Sequence, residues 1–134
     1  MTEVTTMNFG KIHSDVTLPT LDKYDVGVLV RAYLMSETGR PNKTLVPPQS
    51  TRQIRTGLAL EIGGGATLTM HTPIDLILRS LFVIPKFQTL DCGEELTVLL
   101  YNGSHQSYYV CHEDPIARLV LVASMYMKVG EMEI

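Results

Sequence analysis

Residues 55–62 read RTGLALEI, in which Leu58, Leu60 and Ile62 alternate with smaller or charged residues. An apolar side chain at every second position places one face of a β-strand against a core. The segment therefore predicts a strand with one buried face.

Two turn signals with alternating or apolar runs on either side predict β-hairpins. The first is the glycine triplet at 63–65, which separates this strand from a second alternating run at 66–70. The other is Asn102-Gly103, a dipeptide typical of two-residue hairpin turns, between ELTVLLY at 95–101 and SYYVC at 107–111. We therefore predict two hairpins, one around each turn.

The rest of the chain repeats this pattern of short runs and turns. Further β-type runs occur at 25–35, 81–85 and 117–123. Helical periodicity is weak, and the best candidate is a short helix within 72–79, with Pro73 near its start. Many short strands predict an all-β sandwich, jelly roll or barrel in a single domain over residues 1–134, with 124–134 as a tail or exchanged strand.

Composition excludes several classes of function. The net charge is -3 and no run of lysine or arginine occurs, so we expect no binding to nucleic acid or to anionic membranes. No apolar run approaches the roughly 20 residues that span a bilayer. Residues 1–7 are polar and lack the apolar core of a signal peptide, so we expect a location in the cytoplasm or nucleus.

Residues that could carry chemistry are scattered. The histidines lack the spacing of metal ligands, so we expect no metal site, and we expect His105 and His112 on the surface. Cys92 and Cys111 form no CxxC pair, and no cation adjoins Cys92 to activate it. The pairs Glu94-Glu95 and Glu113-Asp114 lie beside turns, which favours solvated charge over a catalytic dyad.

An ordered set of segments resembles trimeric dUTPases. RTGLALEI resembles that family's "pTGlalaiP" segment, and other matching segments occur in the family order: KYDV at 23–26 ("GYDL"), LVPP at 45–48 ("l-x-P"), LTVLLYN at 96–102 ("v-x-l-x-N") and EDPIARLV at 113–120 ("GDRIAQLV"). The resemblance implies a jelly-roll-like β-barrel that assembles as a homotrimer, with its sites between subunits.

The same alignment shows where the family's chemical groups are replaced. The third motif places its base carboxylate at Thr89 and its deoxyribose-stacking ring at Cys92. The second motif, "PRSSL", places Pro73 where the family has arginine and Asp75 where a serine contacts phosphate. Arg118 replaces the metal-linked glutamine of the fourth motif.

Little else of the family's chemistry is retained. Asp25 alone remains of the metal-side carboxylates, and the glycine-rich fifth motif is absent. We therefore expect a non-catalytic protein without a cofactor. Attack of water on the α-phosphorus of dUTP needs a base, a metal and cationic donors, and this chain lacks that set.

A non-catalytic dUTPase-like protein has a known counterpart. The segment 95–121 resembles the dUTPase-like adenoviral proteins encoded by the first reading frame of early region four more than it resembles active dUTPases. Those adenoviral proteins bind host proteins, including PDZ-domain scaffolds. This resemblance implies a viral protein that binds host signalling or scaffold proteins. Two alternatives stay open: an active dUTP diphosphatase with a drifted site, and a regulator that binds nucleotide without hydrolysing it.

The last residues fit a PDZ ligand in part. PDZ domains add a peptide as a strand and hold its last side chain in an apolar pocket. The sequence ends Met132-Glu133-Ile134, which supplies an apolar last residue. The adenoviral relatives carry serine or threonine where Met132 stands, so a frayed tail or an exchanged strand remains the alternative.

Overall fold

The computed structural model describes residues 7–21, 27–62, 66–84, 94–123 and 129–133. The strands are β1 (Met7–Lys11), β2 (Thr20–Leu21), β3 (Val28–Arg31), β4 (Lys43–Val46), β5 (Ser50–Ile62), β6 (Ala66–His71), β7 (Leu81–Val83), β8 (Glu95–Asn102), β9 (Tyr108–Cys111) and β10 (Pro115–Ala123), and the helix is α1 (Ile74–Ile77). The predicted all-β class is confirmed. The predicted short helix is confirmed as well, with Pro73 at its N-cap.

Within the described ranges, the strands form two four-stranded sheets and a two-stranded pair. One sheet has the order β1-β5-β8-β7, the other has the order β2-β3-β10-β6, and β4 pairs with β9. Every pairing is antiparallel. Among the described residues, no helix is long and apolar enough to cross a membrane.

Both predicted hairpins are wrong. The strand β5 lies between β1 and β8, whereas β6 pairs with β10 in the other sheet, so the two strands do not form a hairpin. The glycine triplet itself lies outside the described residues. After Asn102 the chain leaves β8 and returns as β9, which pairs with β4. Asn102 is buried, and its side-chain amide donates to the carbonyls of Val46 (3.0 Å) and Gln106 (2.7 Å), so it anchors a longer loop.

The core lies between these sheets and is made by alternating residues. Every second residue of β8 is buried, from Leu96 to Asn102, as a period of two requires. Leu58 and Leu60 of β5 are buried as well, which confirms the burial predicted for these two residues, whereas the side chain of Ile62 lies outside the described residues. Burial of each such leucine stabilises the fold by about 2 kcal/mol.

At Gly57 the backbone of β5 is irregular and lies close to Val16 and Tyr33. The register against β8 shifts between Arg55 and Ala59, and Gly57 has φ +66°. A Cβ at this position would lie 2.7 Å from a methyl group of Val16 and 3.1 Å from the ring of Tyr33. A side chain is therefore excluded there both by backbone conformation and by space.

Candidate functional site

One open cleft collects residues from two segments that the sequence aligned with family motifs. We call it the α1–β9 cleft, and its volume is about 390 Å³. It is lined from the α1 side by Pro73, Asp75, Leu76 and Arg79, and from the side of β9 and β10 by Tyr108, Tyr109, Cys111, Asp114 and Pro115.

The α1 side of the cleft is a single helical turn held by backbone bonds. The carbonyl of Pro73 accepts from the amides of Leu76 (3.0 Å) and Ile77 (3.2 Å). The turn is tied to β7 because the amide of Val83 donates to the Thr72 hydroxyl at 2.8 Å. Asp75 lies in the first turn and is exposed, so its charge faces solvent and the cleft.

The opposite wall is the turn between β9 and β10. The Cys111 amide donates to Oδ2 of Asp114 at 2.8 Å, and the Asp114 amide donates to the Cys111 carbonyl at 3.1 Å. Glu113 between them has φ +70°, and its amide donates to the Ala32 carbonyl at 2.8 Å. The sequence predicted this acidic pair beside a turn, and the structure adds that the turn is hydrogen-bonded to the residues after β3.

Two tyrosines give the cleft an aromatic wall, and a cationic side chain of the same chain lies near each ring. The Lys43 ammonium lies 4.3 Å from the centroid of the Tyr109 ring, and the Arg79 guanidinium lies 5.7 Å from that of Tyr108. Tyr109 is 50% exposed. These separations are within the range of cation–π attraction.

A second polar region surrounds Tyr33, and we call it the Tyr33 cluster (His13, Asp15, Tyr33 and His112). The Tyr33 hydroxyl donates to Oδ1 of Asp15 at 2.8 Å. His13 stacks on the ring at 5.0 Å, and His112 meets its edge at 5.6 Å. Burial, followed by the hydrogen bond to Asp15, raises the pKa of Tyr33 above its ordinary value.

His112 is part of this cluster and not a surface residue. Its side chain is 13% exposed, and its Nδ1 accepts from the Leu34 amide at 3.0 Å. The surface prediction is therefore wrong for His112, because the turn at 111–115 is hydrogen-bonded to residues 32–34 after β3. It is confirmed for His105, which is exposed. Among the described residues, no group of three His, Cys, Asp or Glu side chains is placed to hold a metal ion.

Some of the predicted site residues line the cleft, some lie elsewhere, and some lie outside the described residues. Pro73 and Asp75 meet Asp114 and Pro115 of the fourth-motif segment at the cleft. Arg118 lies farther along β10, opposite His71 of β6 and Leu29 of β3, and does not line the cleft. Met132 and Glu133 are exposed, whereas Asp25, Thr89, Cys92 and Ile134 lie outside the described residues.

Sequence reasoning missed four residues that shape these regions, namely Tyr108, Tyr109, Arg79 and Tyr33. The adjacent tyrosines of β9 were interpreted only as part of a β-type run. Two neighbouring rings on a short strand next to an acidic turn were the available signal, since one of the two must face away from the core.

Solved structures that are similar to this chain include dUTPases of staphylococcal phages. A point mutant of the dUTPase from phage phi11 of S. aureus is similar with a TM-score of 0.74 and 15% identity, covering 96% of this chain and 97% of that one. The dUTPase of Staphylococcus bacteriophage 80alpha is similar with a TM-score of 0.74 and 15% identity, covering 96% of both chains. No sequence model of a known protein family matches the chain. The chain therefore has a dUTPase-like fold, as the resemblance predicted.

Proposed function

We propose that this chain is a non-catalytic protein on a dUTPase-like fold that acts by binding host proteins, like the adenoviral proteins of early region four that it resembles. The observation that carries the proposal is the pair Pro73 and Asp75 on the wall of the α1–β9 cleft. In the family motif these positions hold an arginine and a serine that serve the phosphates.

The electrostatics of the cleft support this function. A carboxylate about 4 Å from a phosphate oxygen is repelled by about 1 to 4 kcal/mol for each unit of charge, depending on solvation. Asp75 supplies such a charge, and Pro73 supplies no cation to offset it, so Arg79 is the one cation in the lining. Asp114 adds a second carboxylate on the facing wall. A triphosphate is therefore disfavoured where the family fold would hold it.

A regulatory use of this fold has a precedent among the similar structures. Phage dUTPases, including that of Staphylococcus bacteriophage 80alpha, are described as controlling transfer of virulence genes by a proto-oncogenic G protein-like mechanism. The fold is thus compatible with a regulatory role. For this chain we propose that host-protein binding takes place in the cytoplasm or nucleus of a host cell.

The test is incubation of the purified protein with dUTP and magnesium. We expect no pyrophosphate release and no thermal stabilisation by dUTP or dUMP at millimolar concentration. Turnover would contradict the proposal. Stabilisation without turnover would replace it with a nucleotide-binding regulator.

The second candidate function is hydrolysis of dUTP to dUMP and pyrophosphate. It is favoured by the similarity to phage dUTPases over 96% of the chain. The same assay decides between the two functions, because only this one requires pyrophosphate release.

We also propose a homotrimer, as the family resemblance implies. An exposed apolar face on α1 and β7 offers surface for subunit contact: Ile74 and Leu78 are 65% and 77% exposed, and Phe82 is 41% exposed. Exposed apolar patches of this kind mark interaction sites. Light scattering should give three times the chain mass of 14.9 kDa, and a monomer mass would contradict the trimer.

The tail is proposed as a PDZ ligand. Val129 and Met132 are 102% and 80% exposed, so this segment is accessible to a partner strand. Deleting Ile134 should abolish capture by PDZ domains and leave the oligomeric mass unchanged. Equal capture with and without Ile134 would exclude the tail as the contact.

A further inference from the structure

We propose that the α1–β9 cleft holds a lysine or arginine side chain presented by a partner protein. The inference rests on the proposed function and names the chemistry that this site would recognise. It concerns a surface distinct from the C-terminal tail, so the two contacts are separable.

The size and lining of the cleft suit one long cationic side chain. Its volume of about 390 Å³ is at the lower end of the roughly 300–1,000 Å³ of ligand pockets. Pro73, Leu76 and Pro115 provide apolar wall for the aliphatic stem of the guest side chain. Lysine and arginine pack such stems against apolar surface while the charged end reaches polar groups.

Two carboxylates on facing walls supply the charge complement. Asp75 projects from the first turn of α1, and Asp114 is fixed on the other wall by the bond from the Cys111 amide. The one cation in the lining, Arg79, lies against the ring of Tyr108. Arg79 offsets only one of the two carboxylates, so the lining keeps a net charge of -1, which favours a cationic guest.

The tyrosines of the cleft already attract cations within the chain. Tyr109 holds the Lys43 ammonium at 4.3 Å and Tyr108 holds the Arg79 guanidinium, so both rings serve as cation platforms. Tyr109 keeps half of its surface exposed. A guest cation would find there an aromatic surface as well as the carboxylates, which is the combination that binds cations in partly desolvated sites.

The test uses terminally blocked Leu-Arg-Leu peptides, titrated to millimolar concentration into the full ¹⁵N-labelled chain and followed by NMR. We expect shift changes at the amides of Tyr108, Tyr109 and Asp114, and no binding of the same peptide with citrulline in place of arginine. Asp75→Lys should weaken binding about tenfold because it reverses one of the two charges. Glu61→Lys, an exposed acid of β5 outside the cleft, is the matched control and should bind normally.

Inorganic tripolyphosphate distinguishes the cationic guest from an anionic one. The Asp75→Lys variant should bind tripolyphosphate more strongly than the wild-type chain does, and it should bind the arginine peptide more weakly. No binding of the arginine peptide to the wild-type chain, or equal binding of the citrulline peptide, would overturn the inference. A dUTP assay on the same samples keeps the outcomes apart, since turnover refutes the proposed function and peptide failure without turnover refutes this inference alone.

Discussion

The Tyr33 cluster and the α1–β9 cleft contain the same kinds of side chain, aromatic rings beside carboxylates, but they differ in where the polar atoms point. In the cluster, Tyr33 donates to Asp15 and His112 accepts from a backbone amide, so the polar groups bond within the chain. In the cleft, Asp75 and the half-exposed Tyr109 face an open volume.

The two regions share a single turn. Residues 111–115 supply His112 to the cluster and Cys111, Asp114 and Pro115 to the cleft. A polar group bonded within the chain contributes to stability, whereas an open one is available to a ligand. Substitutions in the cluster should therefore change the free energy of unfolding, and substitutions at the cleft should change binding.

The largest expected effect is at Gly57, beneath the cluster. Gly57→Ala forces a Cβ to within 2.7 Å of Val16 and 3.1 Å of the Tyr33 ring at φ +66°. Left-handed strain and overpacking together should lower the free energy of unfolding by about 3 kcal/mol, measured by urea denaturation.

Gly39→Ala is the control for this substitution. Gly39 has φ +79°, but a Cβ there meets nothing within 4 Å. Strain from the backbone conformation alone should lower the free energy of unfolding by about 1 kcal/mol. Equal losses at the two glycines would mean that the close packing around Tyr33 contributes nothing.

The second prediction compares the loss of stability at two histidines, His112 and His105, which the sequence analysis predicted to be on the surface. His112→Ala leaves the Leu34 amide without its 3.0 Å acceptor and removes the edge contact to Tyr33, which should cost about 1.5 kcal/mol. His105→Ala removes an exposed side chain and should change stability by less than about 0.5 kcal/mol. Thermal melts of both variants check the difference, and equal melting temperatures would contradict it.

The third prediction concerns the shared turn, where a substitution should increase stability and not decrease it. Glu113 occupies φ +70°, where the family's fourth motif has glycine. Glu113→Gly should raise the free energy of unfolding by about 0.5 to 1 kcal/mol. It relieves left-handed strain and removes only the 3.3 Å hydrogen bond from Thr17 and the 3.9 Å contact with Nε2 of His112.

Gln49 provides the comparison for that substitution. It also has positive φ, 55°, but its side chain bonds the carbonyls of Gly103 and Ser104 and accepts from the Tyr101 hydroxyl. Gln49→Gly should therefore lower stability in the same denaturation experiment. A loss at both positions would show that the Glu113 side chain contributes more than its strain costs.

The strands could be predicted from the sequence because their signal is local. Alternation at 55–62 and the apolar run at 95–101 identify β5 and β8 without knowledge of their partners. Pairing is not local, and an Asn-Gly dipeptide has the same letters whether it closes a hairpin or, as Asn102 does, bonds Val46 from another segment. The predicted hairpins failed for this reason.

The candidate site was predictable only where a motif could be aligned. Pro73 and Asp75 were identified as replaced positions, and the structure places both on the cleft. Tyr108, Tyr109 and Arg79 belong to no family motif, and their meeting depends on β9 pairing with β4 and on the position of α1. The Tyr33 cluster joins residues nearly a hundred positions apart, so no spacing rule could find it.

The smallest effect is a change in proton binding within the cluster. The pKa of Tyr33 is raised by burial and by the bond to Asp15, so its neutral form is favoured in the folded chain. This contribution to stability is fully present below the ordinary tyrosine pKa of about 10 and is lost as pH rises through the folded pKa. Asp15→Asn removes the carboxylate charge and should lower the pKa of Tyr33, which a tyrosinate absorbance titration referenced to Tyr33→Phe would detect. Asp75→Asn makes the same change at the cleft and should leave that titration unchanged, because its charge faces the open volume and not the ring of Tyr33.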